Sequence, residues 1–142
     1  MSNRRPTKCR AVKIGDVNIL KVVGRITPDE NDDLLFNAVN LLAERGEKNF
    51  LLELSAVSYI NSTGIGSIIQ AYRLAQSKGG TVKILTPSQC VTHIMQVSKL
   101  DNIFEIFQDQ QLALDSFSLP PSENGLAKRS RGRKAVAEPK EE

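Results

Sequence analysis

A carboxamide and two hydroxyls stand together in Asn61-Ser62-Thr63. An apolar run ends before them at Tyr59-Ile60, and a second opens after them at Gly64-Ile65-Gly66. The first run reads as a strand and the second as a helix, so the three polar residues fall where strand hands over to helix. The first turn of a helix leaves N–H groups without intrachain partners, and the helix dipole adds partial positive charge there. A serine at such a point is a natural cap. It is also a hydroxyl at which an added phosphate is electrostatically welcome. The residues alone leave two roles open for Ser62, a structural cap or a hydroxyl that takes up a phosphate, with Thr63 as a second hydroxyl in the same turn.

Catalytic alternatives fail on residue types. A nucleophile elbow needs Gly-x-Ser-x-Gly, and Ile60 stands two residues before Ser62. The single histidine, His93, falls on a later helix with nothing in the sequence to pair it with Ser62, and a triad needs a positioned base. A phosphate-binding Gly-x-x-x-x-Gly-Lys-Ser/Thr loop is absent, and Gly64-Ile65-Gly66 falls short of the three glycines of a dinucleotide fingerprint. No carboxylate pair lies near Ser62 in sequence to act as an acid/base couple. Cys90 and His93, three apart, are too few to hold a metal, and Cys9 and Cys90 lack the C-x-x-C spacing. They read as free, half-buried thiols. The sequence gives no positive sign of catalysis, and no cofactor or metal is expected.

The elements that must position Ser62 follow from the pattern of apolar residues. Cys9 to Ile14 alternates, Gly15-Asp16 reads as a turn, and Val17 to Val23 follows, which predicts a hairpin. Thr27-Pro28-Asp29-Glu30 combines a cap, a first-turn proline and a Glu three residues on. That predicts a helix start, with Leu35, Ala38, Val39 and Leu42 at helical spacing and Gly46 as its stop. Lys48 to Leu54 reads as a central strand buried on both faces. Ile65, Ile68, Ile69 and Tyr72 mark the buried stripe of the helix after Ser62, which Gly79-Gly80 ends. Its opposite flank, Ser67, Gln70, Arg73 and Ser77, is expected to be exposed and to meet a partner. Thr81 to Leu85 predicts a strand, Thr86-Pro87-Ser88-Gln89 repeats the cap pattern of residues 27–30, and Val91, Ile94 and Met95 mark a third helix. Ile103 to Phe107 and Gln110 to Ser116 predict a short strand and a last helix.

The order β-β-α-β-α-β-α-β-α predicts an α/β fold: a mixed, mostly parallel sheet with right-handed crossovers and helices packed against it. In such sheets, ligands and partners are met beyond the carboxyl ends of the strands, which is where Ser62 falls.

The chain has 142 residues, 40% hydrophobic and 25% charged, and a net charge of +3. That suits one domain with tails. Residues 1–7 read as a flexible basic N-terminus, 8–118 as the domain, and 119–142 as a disordered charged tail. The charge is too small to imply nucleic-acid binding. Nothing approaches the ~20 apolar residues of a membrane span, and the start lacks a signal-like apolar stretch, so the cytoplasm is the expected compartment.

The run Tyr59-Ile60-Asn61-Ser62-Thr63-Gly64-Ile65-Gly66, its Ile-rich helix and Gly79-Gly80-Thr81-Val82-Lys83-Ile84-Leu85 resemble the STAS domains, in particular the bacterial anti-sigma-factor antagonists. Val23-Gly24-Arg25-Ile26 and Ser98-Lys99-Leu100-Asp101-Asn102-Ile103-Phe104 extend the resemblance, which spans about residues 8 to 117. It implies that Ser62 is phosphorylated by a partner, an anti-sigma factor with serine kinase activity, and that a serine phosphatase reverses the modification. It also implies that the unmodified protein binds that partner and frees the sigma factor, and that the protein is no enzyme itself. Asn61, Ser62, Thr63, Gly64, Ser67, Gln70 and Arg73 would form the partner surface of a monomer or weak dimer. One departure stands out: such proteins usually carry Asp before the serine, and here it is Asn61. That leaves open a constitutive module instead, a signalling scaffold or a small cytoplasmic subunit of a lipid transporter. A nucleotide-binding domain is a third class, with no glycine-rich cradle to support it.

Overall fold

The computed structural model describes residues 7–28 and 33–118. Residues 1–6 of the expected N-terminal arm, Asp29 and Glu30 of the expected helix start, and the expected tail 119–142 lie outside the described residues. Along the chain run β1 (Lys8–Ile14), β2 (Val17–Ile26), α1 (Leu34–Glu44), β3 (Asn49–Ile60), α2 (Ser62–Ser77), β4 (Thr81–Leu85), α3 (Gln89–Val97), a 3₁₀ turn (Leu100–Asn102), β5 (Ile106–Phe107) and α4 (Gln110–Ser116). The sheet order is β1-β2-β3-β4-β5. β1 and β2 form the antiparallel hairpin and every later pair is parallel, as the element order predicts.

The main core lies between one sheet face and α1, α2 and α3. Leu20, Val22, Phe50, Leu52, Leu54, Val82 and Ile84 of the strands meet Leu35, Val39, Ile68, Ala71, Ala75, Val91 and Met95 of the helices. A smaller cluster on the other face packs α4 against Val17, Ile19, Leu51 and Leu85. Central β3 is therefore apolar on both faces at Phe50-Leu51-Leu52, as its unbroken apolar run requires. The buried Lys83 is held on that second face. Its ammonium donates to Ser116 Oγ at 2.8 Å, pairs with Glu105 Oε1 at 3.2 Å and lies over the Phe117 ring.

β3 departs most from the sequence reading. It runs on past Leu54 to Ile60, outreaching β4, whose pairing ends at Glu53↔Leu85. Over that overhang β3 carries two extra residues relative to β2: Lys21 and Val23 pair with Glu53 and Ala56, Gly24 and Arg25 with Val57 and Tyr59. Each bulge flips the side-chain alternation, so the core-facing positions run 50, 52, 54, then 57, then 60. The far edge of the overhang is held by the start of α3. Ser88 N–H donates to the Leu54 carbonyl at 3.0 Å, and the Cys90 thiol to the Val57 carbonyl at 3.4 Å.

Two helix starts also differ from the expectation. α1 begins at Leu34, with Asp33 as its cap accepting from the Phe36 N–H at 3.0 Å; Thr27 and Pro28 are not helical. α3 begins at Gln89 after Ser88, because Thr86 turns elsewhere. Its φ is +41°, and its hydroxyl donates to Glu53 Oε2 at 2.6 Å instead of capping a helix. Gly79, at φ +87°, ends α2 as the sequence predicts.

Candidate functional site

The site is the junction between β3 and α2, beyond the carboxyl end of the central strand. The expected cap is corrected there. Asn61, in extended conformation, caps α2: its Oδ1 accepts the Gly64 N–H at 2.9 Å and its carbonyl the Ile65 N–H at 3.0 Å. Ser62 is the first residue of the helix itself. Its side chain is exposed, and neither its hydroxyl nor that of Thr63 has a hydrogen-bond partner among the described residues. The Ser62 and Thr63 amides are likewise without acceptors among them. The result is a small platform of two free N–H groups and two free hydroxyls at the positive end of a 16-residue helix.

The backbone beneath this platform is fixed by contact. The Asn61 N–H donates to the Ile26 carbonyl at 3.4 Å, tying the end of β3 to the end of β2. Gly64 presses on the same strand end. A side chain there would collide with the Ile26 carbonyl and would lie 2.8 Å from Ile60 Cγ1 and 2.9 Å from Ile26 Cγ2. Gly64 is thus buried support for the site, not a partner contact as expected.

Ser67 is corrected as well. It is 4% exposed, not on an open flank, and its hydroxyl donates to Asp33 Oδ1 at 2.7 Å. The same oxygen caps α1, so one carboxylate joins the starts of α1 and α2. Gln70, Arg73 and Ser77 are exposed, as expected, and form with Ser62 and Thr63 the open side of α2. Ile65 and Ile68 are buried, and Ile69 and Tyr72 half-buried, with the Tyr72 ring edge-on to Phe104 at 4.9 Å.

Sequence reasoning missed Asp33 and the pair Arg25 and Tyr59. The Arg25 guanidinium sits 4.6 Å from the Tyr59 ring centroid, and both side chains are exposed at the ends of adjacent strands, two residues before Asn61 along β3. Gly24-Arg25-Ile26 and Ser58-Tyr59-Ile60, each closing a strand, were the available signal. His93 lies exposed on α3 and shares no hydrogen bond with Ser62. Both cysteines are half-buried free thiols, with burial raising the pKa of Cys9. Among the described residues, no three metal-ligating side chains come together, and no helix is long and apolar enough to cross a membrane.

A profile of the STAS domain matches residues 8–113. A Thermotoga neapolitana protein named as a candidate anti-sigma factor antagonist, a homolog of TM1081, is 30% identical over 71 residues. That alignment spans 50% of this chain and 63% of the relative, so just under two thirds of its length is matched. The anti-sigma F factor antagonist of Paenibacillus polymyxa is 24% identical over 98 residues, 69% of this chain and 84% of that one. Among solved structures, the crystal structure of a candidate anti-sigma factor antagonist from Thermotoga maritima superposes with a TM-score of 0.68 at 25% identity. It covers 78% of this chain and 95% of its own.

Proposed function

The chain belongs to the STAS domain family, and from that premise we propose that it is a cytoplasmic anti-sigma-factor antagonist switched by phosphorylation at Ser62. In this reading the unmodified protein binds an anti-sigma factor with serine kinase activity and so releases the sigma factor. Phosphorylation by that partner ends binding, and a serine phosphatase restores it. The relatives named as antagonists support the first part. The observation that carries the second is the position of Ser62: first in its helix, exposed, unbonded, and beside two free amides.

The physics of the switch follows from that position. Asn61 does the capping, so the Ser62 hydroxyl is not spent on holding the fold together. A phosphoserine brings about −1.5 to −2 charges. The free amides and the helix dipole accept that charge at home. Pressed into a partner interface, the same charge is desolvated. A penalty of ~3 kcal/mol weakens binding more than a hundredfold. Half-buried Asn61 and exposed Thr63, Gln70 and Arg73 supply the surrounding contact surface, and Thr63 shares the exposure of Ser62, so the choice of Ser62 rests on the family resemblance.

The test is incubation of the purified protein with its kinase partner and ATP, followed by mass spectrometry. One phosphate on Ser62, absent from Ser62→Ala, is the expected result. Phosphate on Thr63 or none at all overturns the switch. A constitutive scaffold is the second reading, favoured by the uncharged Asn61 where such proteins usually carry a carboxylate. Its mark is a Ser62→Asp variant that binds as tightly as the unmodified protein.

A further inference from the structure

β1 is an edge strand, and its outer side is open. It pairs only with β2, and every one of its residues except the half-buried Cys9 is exposed. The turn Gly15-Asp16 makes Ile14 and Val17 a bonded pair. By the alternation of an antiparallel ladder, Cys9, Ala11 and Lys13 then turn their amides and carbonyls away from β2. No backbone bond outside the hairpin reaches these groups among the described residues. They form a template for one more strand.

The side chains of β1 fix the chemistry of that strand. Lys8, Arg10, Val12 and Ile14 share one face with Ile19 and Lys21 of β2. Val12 is 50% and Ile14 42% exposed. Along this face the edge therefore runs cation, cation, apolar, apolar at every second position. Lys8 and Arg10 have no ion pair among the described residues. Glu53, the acid in the row of Arg10 and Lys21, stands two strands from Arg10 and accepts from Ser55 and Thr86. On the opposite face Lys13 is already paired with Glu47. Opposite charges on neighbouring strands attract and like charges repel. An antiparallel strand that complements this edge carries two apolar residues and then two acids, again at every second position. A second copy does not fit, because its β1, Lys-Cys-Arg-Ala-Val-Lys-Ile, brings cations and no acid. The cations that keep a second copy off the edge admit an acidic strand.

We propose that the outer edge of β1 is a docking site for an extended acidic segment of a partner protein, which adds to the sheet as an antiparallel strand. Main-chain bonds to Cys9, Ala11 and Lys13 hold the segment, and Lys8, Arg10, Val12 and Ile14 select its sequence. The test titrates the isotope-labelled full chain with the capped peptide Val-Thr-Val-Thr-Glu-Thr-Glu, whose residues fall in order opposite Ile14 to Lys8. The amide signals of Cys9, Ala11 and Lys13 move most, since those groups gain the new bonds. Arg10→Glu weakens binding about fivefold, the scale of one opposite-charge pair across strands. A peptide with Lys in place of its first Glu recovers that loss. A peptide with Pro at its fourth position, opposite Ala11, does not bind, because it lacks the N–H that meets the Ala11 carbonyl. Equal binding by the proline peptide reduces the contact to charge alone and overturns strand addition. So does a titration that leaves the three amides unmoved. Shifts of the same amides with protein concentration, in the absence of peptide, overturn it too and make a second copy the occupant.

Discussion

Asn61 Oδ1 holds the Gly64 amide at 2.9 Å, and that bond separates two tasks that one residue could have shared. The carboxamide secures the helix start and the next residue keeps its hydroxyl free. Replacing Asn61 by Ala removes the cap and costs about 1 kcal/mol. Asn61→Asp keeps the bond and adds charge at the positive helix end, for a gain of ~0.3–1 kcal/mol. Urea denaturation orders the three proteins Asp, Asn, Ala from most to least stable; an Ala variant as stable as the parent removes the cap's role.

Ser62→Asp places a permanent negative charge on the platform. The protein stays folded and its stability is unchanged or raised by up to ~1 kcal/mol, as for acids in a first helical turn. A drop in the urea midpoint would show that the hydroxyl serves the fold after all.

Gly64→Ala forces a methyl group against the Ile26 carbonyl and the Ile60 side chain. Backbone lies on one side of the clash, so relief requires the helix start to move, at a cost of about 1–3 kcal/mol. Amide chemical shifts of residues 61–65 and 26 report that movement. An unperturbed spectrum with native stability contradicts the packing described.

Asp33 serves the Phe36 amide and the Ser67 hydroxyl with one oxygen. Ser67→Ala loses a single bond, about 1 kcal/mol. Asp33→Ala loses the cap as well and strands a buried hydroxyl, about 2 kcal/mol or more. In the double variant the losses fall short of additive by ~0.5–1 kcal/mol, since both remove the same contact. Strict additivity, measured by denaturation of all four proteins, would break the link between α1 and α2.

Glu47 accepts from Lys13 Nζ at 2.8 Å and Asn18 Nδ2 at 2.9 Å. The Lys13 hydrogen bond, then that of Asn18, holds the Glu47 pKa below its ordinary value; the hydrogen bond to Glu47, then the Glu47 charge, raises that of Lys13. The Glu47 contribution to stability is present above the ordinary carboxyl pKa and is lost as pH falls through its lowered value. The Lys13 contribution is present below the ordinary amine pKa and is lost as pH rises through its raised one. Lys13→Ala moves the Glu47 carboxyl titration, followed by carbon NMR, back up toward ordinary. A midpoint that stays put excludes Lys13 as the main cause.

Much of this arrangement is legible in the sequence. Unbroken apolar runs mark the central strand, and Ile65, Ile68 and Tyr72 phase the helix that carries the site. What escaped has physical causes. Leu54, Val57 and Ile60 recur every three residues because of the bulges, a spacing that does not read as strand. Thr27-Pro28 and Thr86-Pro87 look like caps, yet long-range bonds decide: Asp33 gains Ser67, and Thr86 gains Glu53. Ser67 looked exposed because it is polar, but its small, buried hydroxyl is what lets two helix starts approach while it bonds the half-buried Asp33 carboxylate.

The surplus residues of β3 come as a pair, and the parity matters. Removing one from the overhang would turn every later position over, sending Ile60 toward water and swinging the start of α2 off its footing. Removing both would shorten the reach but leave the same side up. Variation in the length of this approach is therefore tolerable in steps of two and ruinous in steps of one, which makes strand length itself an aiming device for the serine.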